Sequence, residues 1–239
     1  YVQGTHLSGI NVTDLLGTTI INGNWIYDAG WHGIRTIRTS DMTINYNQIG
    51  GGKGNEIIGD GIHVEEASNS EISGNQIADT LSFAFDTGSG IQVLNSSGIT
   101  IGSLLNPNLI RNVEWDGVRV DTGSNISTVG NQVAGAIRTG TYYEAIDTGT
   151  IADNSYMMLG RYGVNVQRGS DLLVSGNMID GSGFEGINVE KSGGVNRLLA
   201  NLVNNTGRHG ISVKETADVT IARNVVGSAV GTINGAGIY

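Results

Sequence analysis

Gly61-Ile62-His63-Val64-Glu65-Glu66-Ala67-Ser68-Asn69-Ser70-Glu71-Ile72-Ser73-Gly74-Asn75-Gln76-Ile77 reads as a strand of alternating apolar and polar residues, a polar turn, a second short apolar strand, and an Asn two places before an aliphatic. The same figure recurs along the whole chain. Asn24, Asn47, Asn75, Asn108, Asn131, Asn154, Asn177, Asn201 and Asn224 each stand two places before Ile, Val or, once, Tyr, and the commonest step between them is 23 residues. A fixed step of that size is the signature of a solenoid.

Each coil holds Gly-Ile-x-Val or a close variant near its start: Gly9-Ile10, Gly33-Ile34, Gly90-Ile91, Gly117-Val118, Gly163-Val164, Gly186-Ile187, Gly210-Ile211 and Gly237-Ile238. An aliphatic three residues before the Asn (Ile21, Ile44, Ile72, Val174, Leu198, Ile221) marks a second strand, and the aliphatic after the Asn a third. Three short strands per coil, about nine coils in all, make a right-handed parallel β-helix. Coils stack at about 4.8 Å, so equivalent residues form ladders along the axis. Aliphatic ladders fill the core. The Asn ladder is expected at a turn, bonding backbone and the next Asn while adopting the left-handed conformation itself.

The string Gly-Ile-x-Val…Ile-x-x-Asn-x-Ile resembles the parallel β-helix repeats of the pectate-lyase-like superfamily over nearly the whole chain. That resemblance implies the fold and a range of functions: polysaccharide lyases, hydrolases, uronan epimerases, phage tailspikes, secreted adhesins and periplasmic β-helix proteins of copper-enzyme maturation. One fold hosts many activities, so the function has to come from the site.

Composition narrows the field. With 38 Gly, one Pro and 15% charged residues, the 239-residue chain suits many tight turns. An unbroken repeat makes residues 1–239 one elongated array. No apolar run approaches the roughly 18 residues of a membrane helix, so membrane insertion is not expected. The net charge of −9 disfavours nucleic acid, and the absence of Cys removes disulfides and thiolate metal sites. A cysteine-free, Gly- and Asn-rich solenoid fits an extracellular or cell-surface setting of bacterial type, with the periplasm as the other compartment. Neither end, Tyr1-Val2 or Gly237-Ile238-Tyr239, carries a recognisable cap. The expectation is therefore a segment of a longer protein with flanking repeats, or else end-to-end self-association.

Some coils depart from the repeat. Residues 50–58, around Gly50-Gly51-Gly52-Lys53-Gly54, and 78–89, around Leu81-Ser82-Phe83-Ala84-Phe85-Asp86, enlarge the path from Asn to the next Gly. A Walker-type phosphate loop needs Gly-Lys-Ser/Thr before a helix, which the first lacks. Coil four adds residues before Asn108. Coil six, with Tyr142-Tyr143-Glu144-Ala145-Ile146, lacks the Gly-Ile start.

Alternation turns the x residues of the first strand outward. Stacking gives one row of Asn11, Arg35, His63, Gln92, Arg119, a poorly placed Tyr142, Asn165, Asn188 and Ser212. The neighbouring row holds Thr13, Ile37, Glu65, Leu94, Asp121, Glu144, Gln167, Glu190 and Lys214. Just before the Gly stand Ser8, His32, Asp60, Ser89, Asp116, Tyr162, Glu185 and His209. Such a face would be polar and solvated on any solenoid. Its densest patch, however, gathers His32, Arg35, Asp60, His63, Glu65, Asp116, Arg119 and Asp121 on coils two to five, beside the enlarged segments, and loops that break a repeat commonly carry function.

The chemistry this patch matches is proton abstraction next to a carboxylate. Arg35 or Arg119 would neutralise a uronate carboxylate and His63 would take the α-proton. His32, Asp60, Glu65, Asp116, Asp121 and Tyr142 would contact the glycan. Hydrolysis fits less well, since it needs two carboxyls roughly 5–10 Å apart, and Glu65 and Asp121 are separated by two coils. The motifs Asn-Thr-Asp, Asp-Asp and Gly-His-Gly of the superfamily's hydrolases are not found in order, and the Asp-Pro-His-Asp string of alginate epimerases is absent. No cofactor and no metal is assigned. Calcium would suit Asp60, Glu65, Glu66, Asp116 and Asp121, but the Gly-Gly-x-Gly-x-Asp nonapeptide is missing, and His32, His63 and His209 are expected too far apart to share a metal. Trp25, Trp31, Trp115, Tyr142, Tyr143 and Tyr162 would either stack on sugars or cover the core. The sequence therefore points first to a secreted or surface solenoid acting as a stalk, adhesive or glycan-binding surface. A lyase or C5-epimerase for an acidic polysaccharide comes second and a tailspike-like segment third. The partner in each case is a polysaccharide or cell-surface glycan.

Overall fold

The computed structural model describes residues 1–52, 54–82 and 87–227. The repeat Gly237-Ile238, Lys53 and residues 83–86 of the second enlarged segment lie outside the described residues. Among the described residues the chain is strand and turn without an α-helix, and its strands pair in parallel with their counterparts one coil on.

The first column contains Ile10–Thr13, Ile34–Ile37, Ile62–Glu65, Ile91–Ile101, Val118–Val129, Thr141–Ala152, Val164–Gln167, Ile187–Glu190 and Ile211–Lys214. In the three middle coils these strands run on through the second column, which joins the two columns into one 15-stranded sheet. The third column, from Val2–Thr5 to Val225–Val226, forms a separate 11-stranded sheet. Ile62 and Val64, Ile91 and Val93, and Val118 and Val120 point inward and are fully buried. Each such side chain contributes about 1.5–3 kcal/mol by leaving water.

The column of first-strand glycines is dictated by crowding. A Cβ at Gly33 would stand 2.4 Å from Ile49 Cγ2 and 2.6 Å from the Gly61 carbonyl oxygen. Coil six keeps this frame as Gly140-Thr141-Tyr142-Tyr143, contrary to the irregular start expected of it. Tyr143 takes the inward place of Val and is fully buried, its hydroxyl 2.8 Å from Thr128 Oγ1, and Thr141 Oγ1 meets the Tyr156 hydroxyl at 2.6 Å. Burial pushes both phenols well above their usual pKa and keeps them neutral. Tyr143 is thus a core residue and not a sugar platform.

The Asn ladder forms, with one change of detail. Asn47 Nδ2 donates to Asn75 Oδ1 at 2.9 Å and Asn75 Nδ2 to Asn108 Oδ1 at 3.0 Å, and the pattern continues to Asn201 and Asn224. The same Oδ1 atoms accept the backbone N–H of the Asn one coil back. The left-handed residue, however, is the one before the Asn in every coil but that of Asn108, which follows Pro107: Gly23, Tyr46, Gly74, Gly130, Asp153, Gly176, Ala200 and Arg223 have positive φ. The Asn itself is spared, since its amide must lie along the axis to reach its neighbours. A second left-handed column follows the first strand, at Asp14, Arg38, Glu66, Asn95, Thr122, Ala145, Arg168, Lys191 and Glu215.

Candidate functional site

The first-strand face has the register the repeat demands. Arg35 pairs with His63, His63 with Gln92, Gln92 with Arg119, and Arg119 with Tyr142, which is fully in register. This row is not a solvated one. His63, Gln92, Arg119, Tyr142, Asn165, Asn188 and Ser212 are all buried, packed against their own ladder neighbours and the column before the glycine. Ionisable groups held there need internal partners, and two clusters supply them.

Asp60 anchors the first. Its Oδ1 accepts the backbone N–H groups of Gly88 at 3.1 Å and Ser89 at 2.9 Å, and its Oδ2 lies 3.0 Å from His63 Nδ1 and 3.3 Å from His32 Nδ1. Asp60 is fully buried. Burial opposes its ionisation, but the groups converging on the carboxylate outweigh burial and hold its pKa below the usual range. A carboxylate only accepts, so His63 Nδ1 carries a proton, and in the neutral ring the lone pair is on Nε2. Glu65 Oε2 stands 3.9 Å from that Nε2.

His32 is held differently. Its Nδ1 accepts the Asp60 backbone N–H at 3.1 Å. Burial lowers its pKa against the pull of Asp60, and the neutral ring stacks on His63 at 4.4 Å. The approach of His32 Nδ1 to Asp60 Oδ2 then brings two acceptors together, a contact that a proton or cation would relieve. Ligand atoms of His32, Asp60 and His63 all lie within 4.8 Å of one another, a group able to hold a metal ion. His32 and His63 are therefore close enough to share one, contrary to expectation, because the Asp60 side chain folds between adjacent coils. Loading the site would cost the Asp60 N–H bond to His32 and the Nδ1 proton of His63. The acids considered for calcium do not converge: Asp60 is committed to the histidines, and Asp116 and Asp121 to Arg119.

The second cluster repeats the first with different chemistry. Asp116 Oδ1 accepts the Thr139 N–H at 3.0 Å, and its Oδ2 lies 3.4 Å from Arg119 Nη1. Arg119 also donates from Nε to Asp121 at 2.7 Å and lies 4.7 Å from the centre of the Tyr142 ring. Burial pushes the Asp116 carboxyl up, with Arg138 and Arg119 pulling it back. Burial also raises the Tyr142 phenol, whose hydroxyl donates to Glu144 at 2.5 Å. Arg119 is thus spent on protein carboxylates. Arg35 is not: it donates to Asn11 at 3.3 Å, makes no ion pair among the described residues, and lines a 430 Å³ cleft with Trp31, Leu7, Ser8 and Asn11.

The structure brings His32, Arg35, Asp60, His63 and Glu65 together, and separately Asp116, Arg119, Asp121 and Tyr142. Gln92 divides the two sets. Thr139, the partner of Asp116, was hidden by the apparent irregularity of coil six. A further column two places before each first-strand glycine was also missed, although its constant offset is readable in the sequence.

Residues 89–239 match the family model described as "Right handed beta helix region". Among solved structures the chain is similar to a mutant of the periplasmic alginate epimerase AlgG, with 15% identity and a TM-score of 0.68 over 85% of this chain and 50% of that one. It is similar to the catalytic unit of a thermostable GH87 alpha-1,3-glucanase from Streptomyces thermodiastaticus, with 15% identity and a TM-score of 0.67 over 97% of this chain and 50% of that one. It is also similar to PfbA, a surface adhesin of Streptococcus pneumoniae, with 13% identity and a TM-score of 0.50 over 97% of this chain and 62% of that one. The chain spans half the length of the first two structures. No curated protein matches it.

Proposed function

The chain belongs to the right-handed β-helix family, and from that premise we propose that its first-strand face binds an acidic polysaccharide outside the cytoplasm and abstracts a proton from it. The observation that carries this reading is the orientation of His63: buried Asp60 accepts a hydrogen bond from its Nδ1–H at 3.0 Å, which in the neutral ring leaves the Nε2 lone pair as a base one coil from Arg35.

A uronate whose carboxylate sits against Arg35 has the negative charge of its enolate-like intermediate neutralised, which makes the C5 proton removable by a neutral imidazole. Trp31, 44% exposed beside Arg35, offers a ring face to the sugar. If the C4–O bond then breaks and the departing oxygen takes the proton from the His63 imidazolium, the product is a chain with an unsaturated end. If solvent water instead delivers a proton to the opposite face of C5 and the imidazolium returns its proton to solvent, the product is an epimer. Glu65, beside Nε2, stabilises the imidazolium formed in either case. Arg119 is a positioning residue in this scheme and no longer the carboxylate clamp.

The test is incubation of the protein with alginate, polygalacturonate and glycosaminoglycans in deuterated water. Ultraviolet absorbance of unsaturated ends reports elimination, and deuterium at C5 reports epimerisation. Neither signal in any uronan, under conditions where the polysaccharide binds, would sink the catalytic part. A second reading, a non-catalytic glycan-binding stalk or adhesive, is favoured by coils seven to nine, where the row continues as Asn165, Asn188 and Ser212 without an ionisable group. It expects binding without turnover.

A further inference from the structure

Two places before each first-strand glycine runs a column of Leu7, Trp31, Gly59, Gly88, Trp115, Arg138, Arg161, Phe184 and Arg208. Its last five residues are tied rung to rung by backbone hydrogen bonds: Arg138 N–H to the Trp115 carbonyl at 3.0 Å, Arg161 to Arg138 at 2.8 Å, Phe184 to Arg161 at 2.8 Å, and Arg208 to Phe184 at 3.1 Å. Their side chains therefore emerge side by side, about 4.8 Å apart, along the edge of the first-strand face.

The arginines in this column are held in place. Arg138 lies 4.1 Å from the centre of the Trp115 ring and Arg208 4.1 Å from that of Phe184, while Arg161 is exposed between them. Among the described residues, none of the three forms an ion pair with a carboxylate. Glu185 stands in the next column, buried, and pairs with none of them. Like charges on neighbouring rungs repel; the buried Asp116 carboxyl, whose pKa Arg138 lowers against burial, offsets part of the charge at Arg138, and the exposed Arg161 beside it forms no ion pair among the described residues. An external polyanion would remove that repulsion.

We propose that Trp115, Arg138, Arg161, Phe184 and Arg208 form a binding tract for a carboxylate-bearing polysaccharide lying along the helix axis on coils five to nine. The guanidiniums stacked on Trp115 and Phe184 have little freedom left to lose, and a planar guanidinium matches a carboxylate in bidentate fashion. Four rung steps give a tract about 19 Å long. Asn165, Asn188 and Ser212 on the adjoining row are buried, with Asn188 Nδ2 donating to Asn165 Oδ1 at 2.9 Å, and form a firm floor beside the tract. The tract rests on the reading of the ligand as an acidic glycan and carries it beyond the His63 cluster, so that coils five to nine would hold the chain on which coils two and three act.

The experiment compares wild type, Arg161→Ala and the double variant Arg161→Ala/Arg208→Ala for alginate binding by calorimetry at low and moderate salt, with circular dichroism to verify the fold. The double variant is expected to bind about tenfold or more weakly, the loss of one net charge-assisted hydrogen bond, and to show a shallower salt dependence, with the single variant intermediate. Unchanged affinity in a folded double variant overturns the tract and leaves the His63 reading standing. Failure of wild type to bind any polyuronate overturns both. Equal affinity for duplex DNA of matched charge overturns the assignment to polysaccharide.

Discussion

The Asp60–His63 and Asp116–Arg119 pairs occupy the same socket of the same repeat, yet they end in opposite states. In each, an Asp before the strand glycine takes a backbone N–H from the next coil on one oxygen and a side chain three residues on with the other. With His as that side chain, the carboxylate is held ionised and the ring turns its Nε2 toward Glu65, 3.9 Å away. With Arg, the positive charge is divided between Asp116 and Asp121 and covered by Tyr142, while burial raises the Asp116 pKa. The fold supplies one solvating frame, and a single residue choice decides whether it holds a reactive group or a closed ion pair.

The largest expected effect lies in the first socket. His63→Ala should reduce uronan turnover by about 10²–10⁴, the usual contribution of a general base, with unchanged β-type circular dichroism. Asp60→Asn should do nearly as much by a different route: an amide nitrogen facing Nδ1 would favour the tautomer whose proton sits on Nε2. Retained turnover in either variant would make the two sockets equally structural and end the contrast.

In the second socket the effect should appear as stability. Arg119→Ala strands buried Asp116 and should cost about 3–5 kcal/mol in chemical denaturation, whereas the double variant Asp116→Asn/Arg119→Met should recover most of it. A loss of turnover in that folded double variant would mean that Arg119 touches the substrate after all.

The sockets should also respond oppositely to acid. His32 has its pKa lowered by burial, so below its ordinary value of 6.5 the unfolded chain binds a proton that the folded chain refuses, and stability is lost as pH falls. Asp116 has its pKa raised, so as pH falls toward its ordinary 3.8 the folded chain holds a proton that the unfolded chain lacks, and stability rises. Each group contributes at most about 1.4 kcal/mol per pH unit. Melting curves between those two values should therefore flatten in His32→Gln and steepen in Asp116→Asn. The reverse pattern would show that the burial read from the structure does not govern these groups.

Most of the frame was legible beforehand, because a repeat states its register many times over. The rows through His63 and through Glu65 are paired as the spacing requires. What the sequence did not disclose is how side chains use the gap between coils. Alternation says only that His63 points away from the core, and nothing in a period of 23 says that Asp60 folds beneath Ser89 and pulls two imidazoles together. Coil six failed for a related reason. Thr141 and Tyr143 break the aliphatic pattern yet satisfy each other's surroundings through hydroxyl pairs with Tyr156 and Thr128, a compensation visible only once the coils are stacked.

The smallest effect concerns the residue that closes each socket's strand. Glu66 and Thr122 both follow the first strand with positive φ, at 51° and 58°, and both are exposed. A left-handed L-residue costs about 1–2 kcal/mol, and glycine removes that cost while giving the unfolded chain roughly 0.5–1 kcal/mol more entropy. Thr is branched at Cβ and sits less easily in this region than Glu. Thr122→Gly should therefore stabilise by about 1 kcal/mol and Glu66→Gly by less than about 0.5 kcal/mol, read as a difference in melting temperature. Equal shifts would place the strain in the shared backbone turn. A larger gain at Glu66 would mean that the first socket stores strain the second does not, as expected of a site where geometry serves chemistry.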